Sequence, residues 1–266
     1  MANAQKKALI MDLLTLSGFL LSIIAVAGGQ YLEGGDLHTL LNLRALIIVL
    51  GGTLGAVMVQ SSFHNFIHAF RILPWVIYPP VHDDNKIIKQ LLLWSTTTRS
   101  KGLLALDDFI PKERNHFLKK GLETLVTGCD TETLRRTLDI EIDTQESNDL
   151  QAAHVFDSMG GYSPTIGIIG AVLGLIEVMR HLTDPSDIGL GIAVSFIATI
   201  YGIAMANLFF IPVANKLKTL IRKRSQFYEM IIEGLIAIAE GEHPQIIGSR
   251  LRGFTHMTAK TVGRHL

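Results

Sequence analysis

Residues 188–215 hold no Asp, Glu, Lys or Arg, yet Ser195, Thr199, Tyr201 and Asn207 lie among them. Polar groups on such a helix can line a hydrated path, or can bond back to the helix's own i−4 carbonyl. Thr199, the hydroxyl placed deepest, is open to both readings. Pro164 and Pro212 each lack an N–H, so each frees a backbone carbonyl and can kink its helix. In a bilayer such positions adjoin a cavity or hinge, or they mark the end of a crossing. Proton and cation relays need an ionisable group at membrane depth, and none sits midway through any apolar run. Glu177 comes nearest, but it stands three residues from Arg180 and reads as a rim ion pair. If this chain helps conduct a cation, another subunit supplies the titrating acid.

Other chemistries find little support. Cys129 is the one cysteine, so neither an internal disulfide nor a Cys-based zinc site can form. His64 and His68 are four apart without a third ligand nearby, and no metal site is expected. No nucleophile triad or Gly-rich phosphate loop points to an enzyme, and no cofactor is expected. A formal net charge of zero gives nucleic acid no obvious hold.

The elements that carry these residues follow from charge-free runs near the ~20 residues that a spanning helix needs. The sequence predicts an all-α membrane protein with four transmembrane helices: residues 13–30, 44–63, 158–182 and 188–215. A helical domain, 64–157, lies between the second and third, and a tail, 216–266, follows the fourth. Residues 1–12 form an N-terminal extension, and 31–43 and 183–187 are short loops. Glu33, Asp36, Asp184 and Asp187 make those loops acidic, whereas Lys6, Lys7, Arg71, Lys86, Lys216, Lys218, Arg222, Lys223 and Arg224 flank the opposite ends. The positive-inside rule puts both termini, the helical domain and the tail in the cytoplasm. Arg44 and Arg180 are the exceptions, at outer helix ends where long side chains snorkel. Lys6-Lys7, an apolar run and Ala25-Val26-Ala27 also fit a cleaved secretory signal, which would leave three crossings.

Within the soluble part, residues 66–78 read as an interfacial helix ending before Pro79-Pro80. Asp83, Asp84 and Asn85 can cap a helix carrying Ile87, Ile88, Leu91, Leu92 and Trp94. Residues 113–126 form another, stopped by Gly128, and Asp130 opens a long helix leading into the third crossing. Residues 217–239 are amphipathic, Gly241 and Pro244 break that helix, and 256–266 are expected to be loosely ordered. Gly51/Gly55 and Gly170/Gly174 have the G-x-x-x-G spacing that lets membrane helices approach closely.

The runs SPTIGIIGAVLGLI from Ser163 and ATIYGIAMANLFFIPVANKL from Ala198 resemble the MotA/PomA flagellar stator subunits, within the wider group that includes TolQ and ExbB. MDLLTLSG from Met11, YLEGG from Tyr31 and EGLIAIAEGEHPQII from Glu233 extend the resemblance over nearly the whole chain. TolQ and ExbB have three crossings, so four favour the flagellar branch; an energising subunit of TolQ/ExbB type is the alternative. The resemblance implies a pentamer of A subunits around two copies of a MotB/PomB-type B subunit. That partner carries the titrating Asp and anchors to peptidoglycan, and the assembly sits in the bacterial inner membrane and drives a rotor protein of FliG type. It also implies that Pro164, Pro212 and Thr199 match the family's two membrane prolines and its hydroxyl facing that Asp. Ala171 and Ala198 stand where sodium-driven members carry Thr, which implies proton drive. Tyr201 is grouped with these as an ion-pathway candidate. RSKGLLALD matches the rotor-facing segment, Arg99 and Asp107 falling on its key charges, with Asp in place of the family's Glu. Lys101 and Asp108 are the further rotor-facing candidates.

Overall fold

A computed structural model describes residues 12–35, 37–180 and 185–262, and no strand occurs among them. The expected extension up to Met11, Asp36, Asp184 and the last four residues lie outside the described residues. In chain order the helices are α1 (Leu13–Leu32), α2 (Leu43–Gln60), α3 (Phe63–Ile72), α4 (Asp84–Lys101), α5 (His116–Val126), α6 (Thr131–Arg180), α7 (Pro185–Ala204), α8 (Ile211–Ala239) and α9 (Pro244–Val262). A π-helical turn, Met205–Phe210, joins α7 to α8, and 3-10 stretches cover Leu37–Leu40, Leu73–Val76 and Leu103–Lys112. The chain forms two compact units, Met1–Pro80 with Asn148–Leu220 and Val81–Ser147 with Ile221–Leu266. The helices α6 and α8 contribute residues to both.

The first unit carries the apolar helices. Leu13–Leu32, Leu43–Gln60, Thr131–Arg180 and Ser195–Ala239 each contain a stretch long and apolar enough to cross a bilayer. Side chains preset the helix starts. Asp12 accepts the Thr15 N–H at 3.2 Å, Asn42 that of Ala45 at 3.0 Å and Ser62 that of Asn65 at 3.3 Å, each satisfying a donor that the first turn leaves open. No residue of α1 is buried, as suits a helix whose neighbours are lipid or other chains. On α2 the buried residues Ala45, Val49, Thr53 and Val57 recur every four positions and make one face, and α2 packs on α7. Gly170 and Gly174 do lie in a helix contact, whereas a Cβ on Gly51 or Gly55 would meet open space beside α2. They sit about 200° around the helix from the buried face, and Gly52 meets Ile166 instead.

The second unit has its own core, with Leu91, Trp94, Leu106, Leu118, Leu122, Leu134, Leu138, Leu235 and Leu251 among its buried residues. Asp83 caps α4 by accepting the Lys86 N–H at 3.1 Å. The helix expected from residue 113 starts at His116. Asn115 takes the N–H groups of Phe117 and Leu118 at 2.9 and 3.4 Å, while Glu113 accepts from Asn115 itself at 2.8 Å. Gly128 and Gly241 adopt φ of +71° after α5 and α8, a conformation that costs glycine little. Beyond the expected break at Gly241 and Pro244 a further helix follows, α9, running from Pro244 to Val262. Pro244 opens it, and Ile247 and Leu251, one turn apart, are both fully buried.

Candidate functional site

The helices α6 and α7 meet along a seam of small residues. A Cβ on Gly202 would lie 2.5 Å from the Ser163 carbonyl oxygen, 3.1 Å from the Gly167 Cα and 3.2 Å from the Pro164 Cα. On Gly167 it would lie 2.8 Å from the Ala198 carbonyl oxygen. Backbone faces backbone here, so only glycine fits. Further along, Gly170 rests on the Ala198 methyl and on Ile48 of α2, and Gly174 rests on Ser195. The buried Ser163 hydroxyl donates to the Gly202 carbonyl at 3.0 Å, a polar tie across the apolar contact.

The candidates fall into distinct places around this seam. Ala198 is 2% exposed and belongs to the packing itself. Pro164 and Ala171, seven residues apart, share one face of α6 about 10 Å apart along the axis, and both are half-buried. Thr199 is also half-buried, one position on from Ala198. The Tyr201 hydroxyl is engaged elsewhere. It donates to the Leu40 carbonyl and accepts the Asn42 N–H at 3.1 Å, tying α7 to the end of the 3-10 stretch and to the residue that caps α2. Pro212 lies two residues beyond the π turn.

The two prolines produce neighbouring defects. Pro164 has no N–H for the carbonyl four residues earlier, that of Gly160. Gly160 in turn packs on Ile211, the residue before Pro212: a Cβ there would come within 2.6 Å of Ile211 Cγ1. Backbone groups without helix partners thus gather where α6 passes the start of α8, as they do where membrane helices border water or a substrate path.

Charge pairs at the ends of these helices escaped sequence reading. Lys216 on α8 pairs with Asp12 at the start of α1, and Lys218 pairs with Asp157 on α6. The Lys216 hydrogen bond holds the Asp12 carboxyl below the usual carboxylate range, against the opposing effect of its partial burial. Glu177 and Arg180 form the anticipated ion pair at 3.6 Å, both exposed. His68 stacks near His64, and its Nε2 lies 2.6 Å from the buried Asp149 carboxylate. No group of three or more potential metal-binding side chains occurs among the described residues.

In the second unit, Arg99, Lys101, Asp107 and Asp108 are all exposed. The first two lie in the last turn of α4 and the others on the 3-10 stretch packed against it. Gly102, at φ +84°, makes the corner between them. The Arg99 guanidinium donates to the Gly241 carbonyl at 3.0 Å, anchoring it at the end of α8.

Residues 110–230 match the MotA/TolQ/ExbB proton channel family, and residues 4–101 match the motility protein A N-terminal family. Motility protein A of Bacillus subtilis is 31% identical over 250 residues, 91% of this chain and 90% of that protein. The solved structure of C. jejuni MotAB aligns with a TM-score of 0.87 at 30% identity, covering 92% of this chain and 96% of that one. The flagellar MotAB stator complex from Bacillus subtilis aligns at 0.81 and 31% identity, covering 89% and 93%. With both halves matched, and a relative of this identity aligned almost end to end, the chain belongs to the motility protein A family.

Proposed function

We propose that this chain is the A subunit of a flagellar stator, the membrane part of a complex that turns ion flow into torque on the rotor. The observation that carries the reading is a seam between α6 and α7 bordered by two proline defects and a threonine, with no acid on α6 between Asp157 and Arg180 except the exposed Glu177, and none on α7 beyond Asp187 in its first turn. Such a lining suits a partner that brings the titrating carboxylate. On this reading a MotB/PomB-type B subunit, in two copies, passes through a pentamer of this chain. Both termini and the unit containing Arg99 lie in the cytoplasm of a cell whose inner membrane holds the four spans. Pro164, Ala171, Ala198, Thr199 and Pro212 border the ion path, while Arg99, Lys101, Asp107 and Asp108 face a rotor protein of FliG type.

Ala at both 171 and 198 supports proton drive. Sodium must exchange water for oxygen ligands, which alanine cannot supply, and a proton can pass along water and a carboxylate. Removing the gene should abolish swimming, and restoring it should return torque in sodium-free medium. Swimming that needs added sodium would refute proton drive. Arg99→Glu should cut motility far more than it cuts the amount of folded complex, since exposed charges steer and align rather than stabilise. Full motility after reversing both Arg99 and Asp107 would remove the rotor assignment.

A further inference from the structure

The fourth span is not one regular helix. Between Ala204 and Ile211 its bonding widens to the i→i+5 pattern, and the Ile211 N–H reaches back to the Ala206 carbonyl. A turn closed over five residues instead of four takes in one residue more than an α-turn. Pro212 follows at once and has no N–H. The carbonyl it would have served, Asn207 in the wide spacing or Leu208 in the α spacing, receives nothing from it. Asn207, inside the wide turn, donates its side-chain amide to the Ile203 carbonyl at 3.0 Å, fastening the turn to the regular helix before it.

Both sides of the wide turn are pinned within the first unit. Before it, Tyr201 is tied to Leu40 and Asn42, and Gly202 lies against Ser163 and Gly167. After it, Ile211 lies on Gly160, and Lys216 and Lys218 pair with Asp12 and Asp157. One residue of α-helix corresponds to about 100° of rotation and 1.5 Å of rise. Taking a residue from the wide turn would close it into α-helix and leave both sets of anchors in phase. Taking one from the regular helix before Tyr201, such as Ile200, would instead put Ser195 and Ala198, which lie against Gly174 and Gly170, out of phase with every anchor beyond them. Packing alone therefore does not require the extra residue.

We propose that this wide turn presents an unpaired backbone carbonyl beside Pro212 to the ion path, and that Asn207 is the positioning residue that holds it open. The proposal rests on the stator reading and adds to it a backbone oxygen acting next to Pro212. Wide turns of this kind recur at functional sites in helices, and irregular backbone persists at membrane depth where it lines a cavity.

The test uses the full chain assembled with its B subunit. Deletion of Leu208 should leave membrane level and co-purification with the B subunit as in the wild type, while stall torque and proton flux into vesicles fall roughly tenfold. Deletion of Ile200 should abolish assembly. Asn207→Ala should lower torque, and Asn207→Ser should restore it, because a serine hydroxyl also reaches the i−4 carbonyl. Wild-type torque after Leu208 deletion would overturn the proposal. So would failure of that deletion to assemble, or equal losses from the Ala and Ser variants. The assembly contrast needs no rotation. It still decides the register claim if the wild-type chain cannot restore swimming, a result that would sink the stator reading alone.

Discussion

Replacing Tyr201 by Phe separates two roles for that residue. As an ion-path residue it would lend its hydroxyl to water or a proton, and its loss would change conduction with little effect on stability. As a clamp it serves the Leu40 carbonyl and the Asn42 N–H, two backbone groups just before α2 begins. The substitution keeps the ring and removes both bonds at once. Each half-buried backbone group left without a partner costs about 1–3 kcal/mol. Measured side-chain bonds between membrane helices average nearer ~0.6 kcal/mol, because the freed groups find other partners. The loss from the two groups together should therefore lie between about 1 and 6 kcal/mol, and it should appear as earlier thermal dissociation of the purified complex. The damage should concentrate where α2 packs on α7, since Ala45 and Val49 share a buried cluster with Ile197 and Ala198. Mass-spectrometric exchange should then show faster amide exchange around Asn42 in the variant. An unchanged melting temperature with altered proton flux would refute the clamp and return the hydroxyl to the ion path.

Two further substitutions probe the same unit. Gly202→Ala places a methyl 2.5 Å from the Ser163 carbonyl oxygen, so α6 and α7 must part by most of an ångström. That should cost about 1–3 kcal/mol and reduce the yield of assembled complex in a pull-down through the B subunit; wild-type yield would show that the seam is looser than described. Asp12→Asn keeps a good helix cap but removes the ion pair with Lys216. The Asp12 pKa is lowered in the fold, so its contribution is present above the unfolded value of about 3.9 and is lost as pH falls through the folded value. The variant should be less stable than wild type by about 1 kcal/mol at neutral pH, with the difference vanishing in strong acid. A gap that persists at low pH would assign the effect to the cap instead.

Much of the fold was legible because its signals are local. Long uncharged runs, Asp83 and Asp130 before helices, and Gly128 and Gly241 after them each act within one turn of chain. The long passage from Thr131 to Arg180 could be followed because Pro164, the one proline in it, does not end the helix. The α9 helix that opens at Pro244 was missed because its buried residues Ile247 and Leu251 sit in a mostly polar stretch, where their one-turn spacing is a weak signal. The site was legible as residue types rather than as geometry. Prolines, small residues and a missing acid could be read directly, and GxxxG spacing identified Gly170 and Gly174. The same rule was blind to Gly167 and Gly202, which face each other from different helices and share no spacing in sequence.

The pairing of Lys216 with Asp12 and of Lys218 with Asp157 shows why such facts stay hidden. The sequence gives those lysines one evident meaning, the cytoplasmic side of a membrane helix, and that meaning would hold whether or not they had partners. Their partners are set by the rotational phase of α8 after the wide turn. That phase depends on whether residues 205–210 close over four residues or five, a choice that no hydrophobic period records. Backbone pattern, rather than residue type, therefore decides which carbonyls are left unpaired and which charges meet. A change of one residue in that turn tests the link more sharply than exchanging any of its side chains.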